Sequence, residues 1–327
     1  MAAGQSMKIF PPVVRLSFGG GIWYNVFKDA DGVGKGASAV SVDVLQGKIR
    51  KKKNPTVVSL RLRADRLPPE IEGTGAAGVE AQGRALLEGL ADLVPAVKFP
   101  MTYFEVLGPE GLAVLGRLCA LARKLGYYVF LETDRCDLEP AAELAARAAF
   151  GGLEPGGAPP LWEADAVVLD AFTGSDGVRP YLPHCRVREK SVFLLARTAN
   201  KSARELQDLL AGDRVVHTVV ADLAMRLSTD LFGKGGYSQV GILLDAVRAR
   251  AFSELRQRYD RLFFLVPAGP AVREARGAFD KFGHGAILED DAPAHAWQAS
   301  PELGLVPAAR AAAEKRRDEI AQAVTVI

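Results

Sequence analysis

Residues 108–131 read GPEGLAVLGRLCALARKLGYYVFL, and this stretch joins two kinds of apolar pattern. Its first part, Gly108–Leu125, repeats apolar residues at the three- and four-residue spacing of an amphipathic helix. Its second part, Tyr127–Leu131, is a short continuous apolar run, which is typical of a strand buried on both faces. The stretch therefore predicts a helix that leads into a buried strand.

The same alternation of apolar runs and amphipathic segments extends toward both ends of the chain. Strands are predicted at Thr56–Leu62, Val94–Phe99, Tyr127–Leu131, Ala166–Leu169, Ser191–Ala196, Gln239–Leu244, Leu262–Val266 and Gly285–Leu288. Helices are predicted at Gly108–Leu125, Ala141–Ala149, Ser202–Leu210, Ala246–Tyr259, Ala271–Phe282 and Ala308–Ala323. Such alternation favours a parallel sheet covered by helices. Eight strands predict a closed (β/α)8 TIM barrel of the α/β class rather than an open sheet.

The length of 327 residues fits one barrel of about 250 residues with additions. Residues 1–40 are predicted to be an N-terminal extension, because Gly19-Gly20-Gly21 and Asp29–Gly36 are rich in turn-forming residues. After residue 40 the composition does not shift, so residues 41–327 are predicted to form a single barrel domain.

Composition and charge argue against nucleic acid and membrane partners. Charged residues make up 24% and the net charge is +2, so no strong field attracts a polyanion. The basic run Lys48–Lys53 is interpreted as a solvated helix end. Three cysteines lack metal-ligand spacing, and no run reaches the roughly 18 apolar residues of a membrane span. The N-terminus lacks the basic and apolar regions of a secretory signal, so a cytoplasmic protein is expected.

Several segments at or near the predicted strand ends resemble one known family. They read KNPTVV at 53–58, VPAVKF at 94–99, ARAAFGG at 146–152, ARTANKSARELQD at 196–208 and FLVP at 264–267. Over residues 41–292 the chain resembles the longer bacterial subtype of the orotidine 5′-phosphate decarboxylases. The resemblance implies a TIM-barrel lyase of UMP biosynthesis that uses no cofactor and forms a homodimer.

The resemblance also implies a catalytic array in which two lysines alternate with two aspartates. Lys98 matches the first lysine, and Glu132 stands for the first aspartate with one methylene more. Asp134 occupies the place of the central, proton-donating lysine. Asp137 matches the aspartate that reaches the partner subunit's site. Electrostatic stabilisation of a carbanion depends on that cation, so its replacement by an acid argues against decarboxylation.

The substrate-binding positions implied by the resemblance also depart from the family pattern. The ribose-binding aspartate is replaced by Arg61, and the family's phosphate-gripping arginine is absent from the last strand end, Leu288-Glu-Asp-Asp291. The glycine-rich phosphate loop is reduced to Pro267–Val272, although backbone N–H groups cradle phosphate best without an interrupting proline. The implied substrate-binding residues are Arg61, Arg197, Thr198, Ala199, Asn200 and Gly269.

Three hypotheses for the function remain open at this level. The first is the family decarboxylase. The second is a catalytically inactive paralogue that acts as a structural or regulatory partner, in a homodimer or in a heterodimer in which it donates Asp137 to an active decarboxylase. The third is a metal-dependent lyase on a non-phosphorylated substrate, with Mg²⁺ held by Glu132 and Asp134.

The first expectation is that the site holds no metal, because Glu132 and Asp134 can instead pair with cations. A network of Glu132, Asp134 and Asp137 with Arg61, Lys98 and Arg135 is the alternative to a metal site. The acidic stretch Glu289–Asp291 is interpreted as a solvated turn.

Overall fold

The computed structural model describes residues 40–133, 135, 137–153, 160–245, 249–267 and 272–326. Eight of its strands are parallel and close into a barrel, in which β1 pairs with both β2 and β10. The strands are β1 Thr56–Ser59, β2 Ala96–Pro100, β3 Tyr128–Glu132, β4 Ala166–Asp170, β5 Ser191–Arg197, β6 Leu210–Ala211, β7 Arg214–Val215, β8 Val240–Leu244, β9 Phe264–Val266 and β10 Ala286–Asp290; β6 and β7 form a separate antiparallel hairpin. The predicted (β/α)8 barrel is confirmed.

Helices surround this barrel and pack on the outward faces of its strands. No helix in the described part of the chain is long and apolar enough to cross a bilayer. The α-helices are α1 Ser41–Lys52, α2 Gly75–Leu90, α3 Thr102–Glu105, α4 Gly108–Lys124, α5 Ala141–Phe150, α6 Ser175–Val178, α7 Leu182–Arg188, α8 Val216–Leu227, α9 Ala249–Arg258, α10 Val272–Ala275, α11 Ala292–Ala299 and α12 Leu305–Ala323. Residues 1–39 of the predicted N-terminal extension lie outside the described residues.

Helix α1 packs against the amino-terminal end of the barrel interior. Val42, Leu45 and Ile49 recur at helical spacing on one face, and all three are buried with the inward-facing side chains of the strands. Asp43 accepts the backbone N–H groups of Lys234 and Gly235 at 2.8 and 2.9 Å. These contacts cover the amino-terminal end, so the site must lie at the opposite end.

The basic run lies at the C-terminal end of helix α1. Lys48 Nζ donates to the carbonyl of Gly126, and Lys52 Nζ donates to the carbonyl of Ala91. Lysines near a helix C-terminus interact favourably with the helix dipole. The remaining basic side chains, Arg50, Lys51 and Lys53, are exposed, as expected for a solvated helix end.

Two predicted helices are wrong in large part. Residues predicted as Ser202–Leu210 form a short 3-10 turn at Lys201–Glu205 followed by the β6–β7 hairpin, because the side chains of Gln207 and Asp208 bond back to the end of β5. The predicted helix Ala271–Phe282 ends early, since Asp280 Oδ1 accepts the N–H groups of Phe282 and His284 in a turn.

The helices that were not predicted include α2, α7, α8 and α11, while of α1 only the basic end was expected. Helix α2 contains glycines that suggest a loop by propensity alone. Close packing explains the glycine at position 83, because a Cβ there would lie 2.7 Å from Leu118 Cδ1 of α4. Tertiary packing therefore overrides local preference in this helix.

Candidate functional site

Strand alternation brings one set of charged side chains to the carboxyl end of the barrel interior. On β2, Ala96 belongs to the interior cluster, so Lys98 faces inward two residues later. The same alternation follows Phe130 with Glu132 on β3, and Ile287 with Glu289 on β10. These strands are joined through β1, so their ends lie side by side.

Lys98 is the buried cation of this cluster. Its side chain is 1% exposed, and Nζ lies 2.5 Å from Glu132 Oε2 and 2.7 Å from Glu289 Oε2. Burial alone lowers the pKa of Lys98, but the nearby carboxylates of Glu289 and Glu132 outweigh burial and leave that pKa raised. Lys98 is therefore a charged ammonium whose charge is neutralised within the protein.

Glu289 connects Lys98 to a second cation. Its Oε1 accepts from Arg61 at 3.0 Å, while Arg61 also donates to Asp291 Oδ2 at 3.0 Å. The Glu289 side chain is 1% exposed, so it is a buried carboxylate between two cations. We call Arg61, Lys98, Glu132, Glu289 and Asp291 the mouth network.

The interpretation of Glu289–Asp291 as a solvated turn is wrong for its first two residues. Glu289 and Asp290 are the last residues of β10 and both are buried. Asp290 forms an ion pair with Arg316 of α12 at 3.3 Å, and burial raises the pKa of its carboxyl group. The signal missed in the sequence was the two-residue period, which continues from Ile287 to Glu289.

Arg197, predicted to bind substrate, is held by the protein itself. Its guanidinium donates to both carboxylate oxygens of Asp208 at 2.8 and 3.0 Å and to Asp245 Oδ2 at 3.0 Å. Thr198 donates its N–H to Gln207 Oε1 and its hydroxyl to Asn200 Oδ1. Ala199 and Asn200 are exposed beside this ion cluster.

The other predicted site residues are only partly brought together. Asp134 and Gly269 lie outside the described residues, and Asp137 is half-buried between β3 and α5. Arg135 pairs at 3.5 Å with Glu105, away from the mouth network. The Lys98–Glu132 pair of the expected ion network is confirmed, whereas Arg135 lies outside it.

A metal site at Glu132 and Asp134 is not tested by the described residues, because Asp134 lies outside them. They contain no group of three or more His, Cys, Asp or Glu side chains that could hold a metal ion. The Glu132 carboxylate forms an ion pair with Lys98, whose ammonium group donates to it. The mouth network carries one net negative charge, with two cations and three carboxylates.

Comparison with known proteins gives the family. No protein-family model matches the chain. An orotidine 5′-phosphate decarboxylase from Rhodopirellula baltica is 31% identical over 207 residues, which cover 62% of this chain and 68% of the relative. The chain belongs to the orotidine 5′-phosphate decarboxylase family.

Two further comparisons agree with that assignment to the decarboxylase family. An orotidine 5′-phosphate decarboxylase from Clostridium acetobutylicum is 28% identical over 249 residues, covering 72% of this chain and 82% of the relative. The solved structure of OMP decarboxylase from Leishmania donovani matches with a TM-score of 0.68 at 25% identity, covering 86% of this chain and 98% of the other. The resemblance expected from the sequence is confirmed.

Proposed function

We propose that this protein is an orotidine 5′-phosphate decarboxylase family member that does not decarboxylate orotidine 5′-phosphate. It acts instead as a structural or regulatory subunit in the cytoplasm. The observation that carries the proposal is Glu289, which holds Lys98 Nζ at 2.7 Å and Arg61 at 3.0 Å. The cations that could attract an anionic substrate are thus already neutralised by a buried carboxylate.

Electrostatics disfavour the substrate of the family at this mouth. Orotidine 5′-phosphate brings a carboxylate and a phosphate to a network that already has one net negative charge. Two like unit charges 4 Å apart repel by about 4 kcal/mol at an effective dielectric constant of about 20. Displacing Glu289 would in addition break a buried ion pair, which costs about 3–5 kcal/mol.

The chemistry of protonation also lacks its usual donor. By resemblance, Asp134 stands where the family has the lysine that protonates the carbanion. Lys98 cannot replace that lysine easily, because its N–H groups are directed at Glu132 and Glu289 and its pKa is raised. A raised pKa makes the ammonium a weaker acid.

Exposed apolar side chains support a role in assembly. Val106, Leu138 and Phe172 follow the neighbouring strands β2, β3 and β4, so they lie at the same end of the barrel, and all three are exposed. Apolar residues grouped at one end of a barrel are typical of protein interfaces. We propose a homodimer through this end, or a heterodimer in which Asp137 is given to an active relative.

An absorbance assay tests the catalytic half of the proposal. Purified full-length protein is incubated with orotidine 5′-phosphate while the loss of orotate absorbance is followed. The Rhodopirellula baltica relative, assayed in parallel, is the positive control. We expect no turnover above the protein-free rate, and steady turnover by this chain would refute the proposal.

A mass measurement tests the assembly half. Light scattering after size-exclusion chromatography is expected to give twice the chain mass of 35.0 kDa. Leu138→Glu and Phe172→Glu together should shift the mass to that of one chain, because buried charges destabilise an apolar interface. A wild-type protein that stays monomeric at every concentration, alone and with an active relative, contradicts the proposed assembly.

A further inference from the structure

We propose that the barrel mouth binds a small organic cation, an alkyl amine or guanidine. The inference rests on the proposed function, in which the mouth no longer serves an anionic nucleotide. It adds a ligand class that is opposite in charge to the family substrate.

Carboxylates outnumber cations at the strand ends. Three cations are each held by two carboxylates: the buried Lys98 and Arg197 and the half-buried Arg61, which shares Glu289 with Lys98. Asp170, the last residue of β4, adds a further carboxylate. A concave site with excess charge of one sign attracts ligands of the other sign.

A second observation is the hydroxyl of Ser59. Val57 faces the barrel interior, so Ser59 also faces inward, where it is in register with Lys98. Ser59 Oγ is buried and has no hydrogen-bond partner among the described residues. A buried hydroxyl without a partner destabilises the protein, so a bound polar group that reaches this level would satisfy it.

The rim of the mouth beside Asp170 has the chemistry that recognises alkyl amines. Asp170 Oδ1 accepts the backbone N–H of Phe172 at 2.8 Å, which fixes the carboxylate at the carboxyl end of β4. An ammonium group binds a carboxylate through charge-assisted hydrogen bonds. Leu195, in register with Asp170 on β5, offers an apolar contact for the alkyl chain.

Isothermal titration calorimetry tests the inference on the full-length protein. Agmatine and putrescine are titrated separately at constant ionic strength, with sodium chloride as the matched salt. We expect saturable binding of at least one amine. Failure of both amines to bind overturns this inference and leaves the proposed loss of decarboxylation standing, whereas decarboxylation in the absorbance assay overturns both.

Variants show whether binding occurs at the mouth. Asp170→Asn keeps the oxygen that caps Phe172 and should weaken binding about tenfold, because it removes a charge-assisted contact. Ser59→Ala should weaken binding about fivefold without loss of stability. Asp318→Asn, an equal charge change on the exposed surface of α12, should leave binding unchanged. Equal weakening by Asp170→Asn and Asp318→Asn would indicate nonspecific attraction and would overturn the inference.

Discussion

Replacing Glu289 with glutamine removes the charge that joins the two cations of the mouth network. Glutamine has nearly the same volume and keeps one acceptor oxygen, so the change isolates the charge. In the native protein Glu289 lies 2.7 Å from Lys98 Nζ and 3.0 Å from Arg61 Nη2, and its side chain is 1% exposed. Lys98, also 1% exposed, would retain Glu132 alone.

The expected loss of stability follows from burial. Removing one partner of a buried ion pair costs about 3–5 kcal/mol, and the retained amide oxygen places Glu289→Gln near about 3 kcal/mol. A change of that size lowers the Tm of a large domain by about 6 °C. Urea unfolding followed by circular dichroism measures the free energy, and thermal unfolding gives the Tm.

The matched control is Asp291→Asn, which removes the other carboxylate from the same arginine. Asp291 and Arg61 have side chains that are 36% and 34% exposed, so solvent screens their pair. Such a pair contributes at most about 1 kcal/mol. If Glu289→Gln were as stable as the wild type, or if both variants lost the same free energy of unfolding, the buried Glu289 would not stabilise the mouth network more than the exposed Asp291 does.

Three further predictions concern the barrel that supports the mouth. Arg256 donates to the backbone carbonyls of five residues and stacks 3.8 Å from the Phe264 ring centroid. The variant Arg256→Met should therefore lose about 3 kcal/mol or more of the free energy of unfolding, measured in urea. A loss below about 1 kcal/mol would contradict this prediction. Burial raises the folded-state pKa of Asp290, so its contribution to stability is present at acid pH and is lost as pH rises through that pKa. The variant Asp290→Asn lacks this titration, so its stability should rise relative to the wild type between pH 3 and pH 7. A difference in stability that did not change with pH would count against this prediction. A Cβ at Gly241 would lie 2.6 Å from the Phe263 carbonyl oxygen, so Gly241→Ala should cost about 3 kcal/mol or prevent folding, and a variant of wild-type stability would refute the packing argument.

Local pattern predicted the barrel well because each strand carries its own signal. The apolar runs are short and buried on both faces, so they can be recognised without knowledge of their neighbours. Helix α2 lacks such a signal, since glycines such as Gly83 are favoured there by contacts with α4, which the local pattern does not contain.

The mouth network was harder to predict because it depends on closure of the barrel. Lys98 and Glu132 belong to neighbouring strands, and their pairing was among the expected alternatives. Glu289 reaches Lys98 only because β10 returns to β1. The predicted last strand ended at Leu288, two residues before the observed end at Asp290, so the buried carboxylate was interpreted as part of a turn.

Direct titration of UMP into the full-length protein tests the central claim about the mouth. At low ionic strength, where attraction between charges is strongest, the network of Lys98, Arg61 and Glu289 predicts no saturable heat of binding. Saturable binding of UMP with a Kd in the micromolar range, lost on substitution of Lys98, would contradict the claim that these cations are already neutralised.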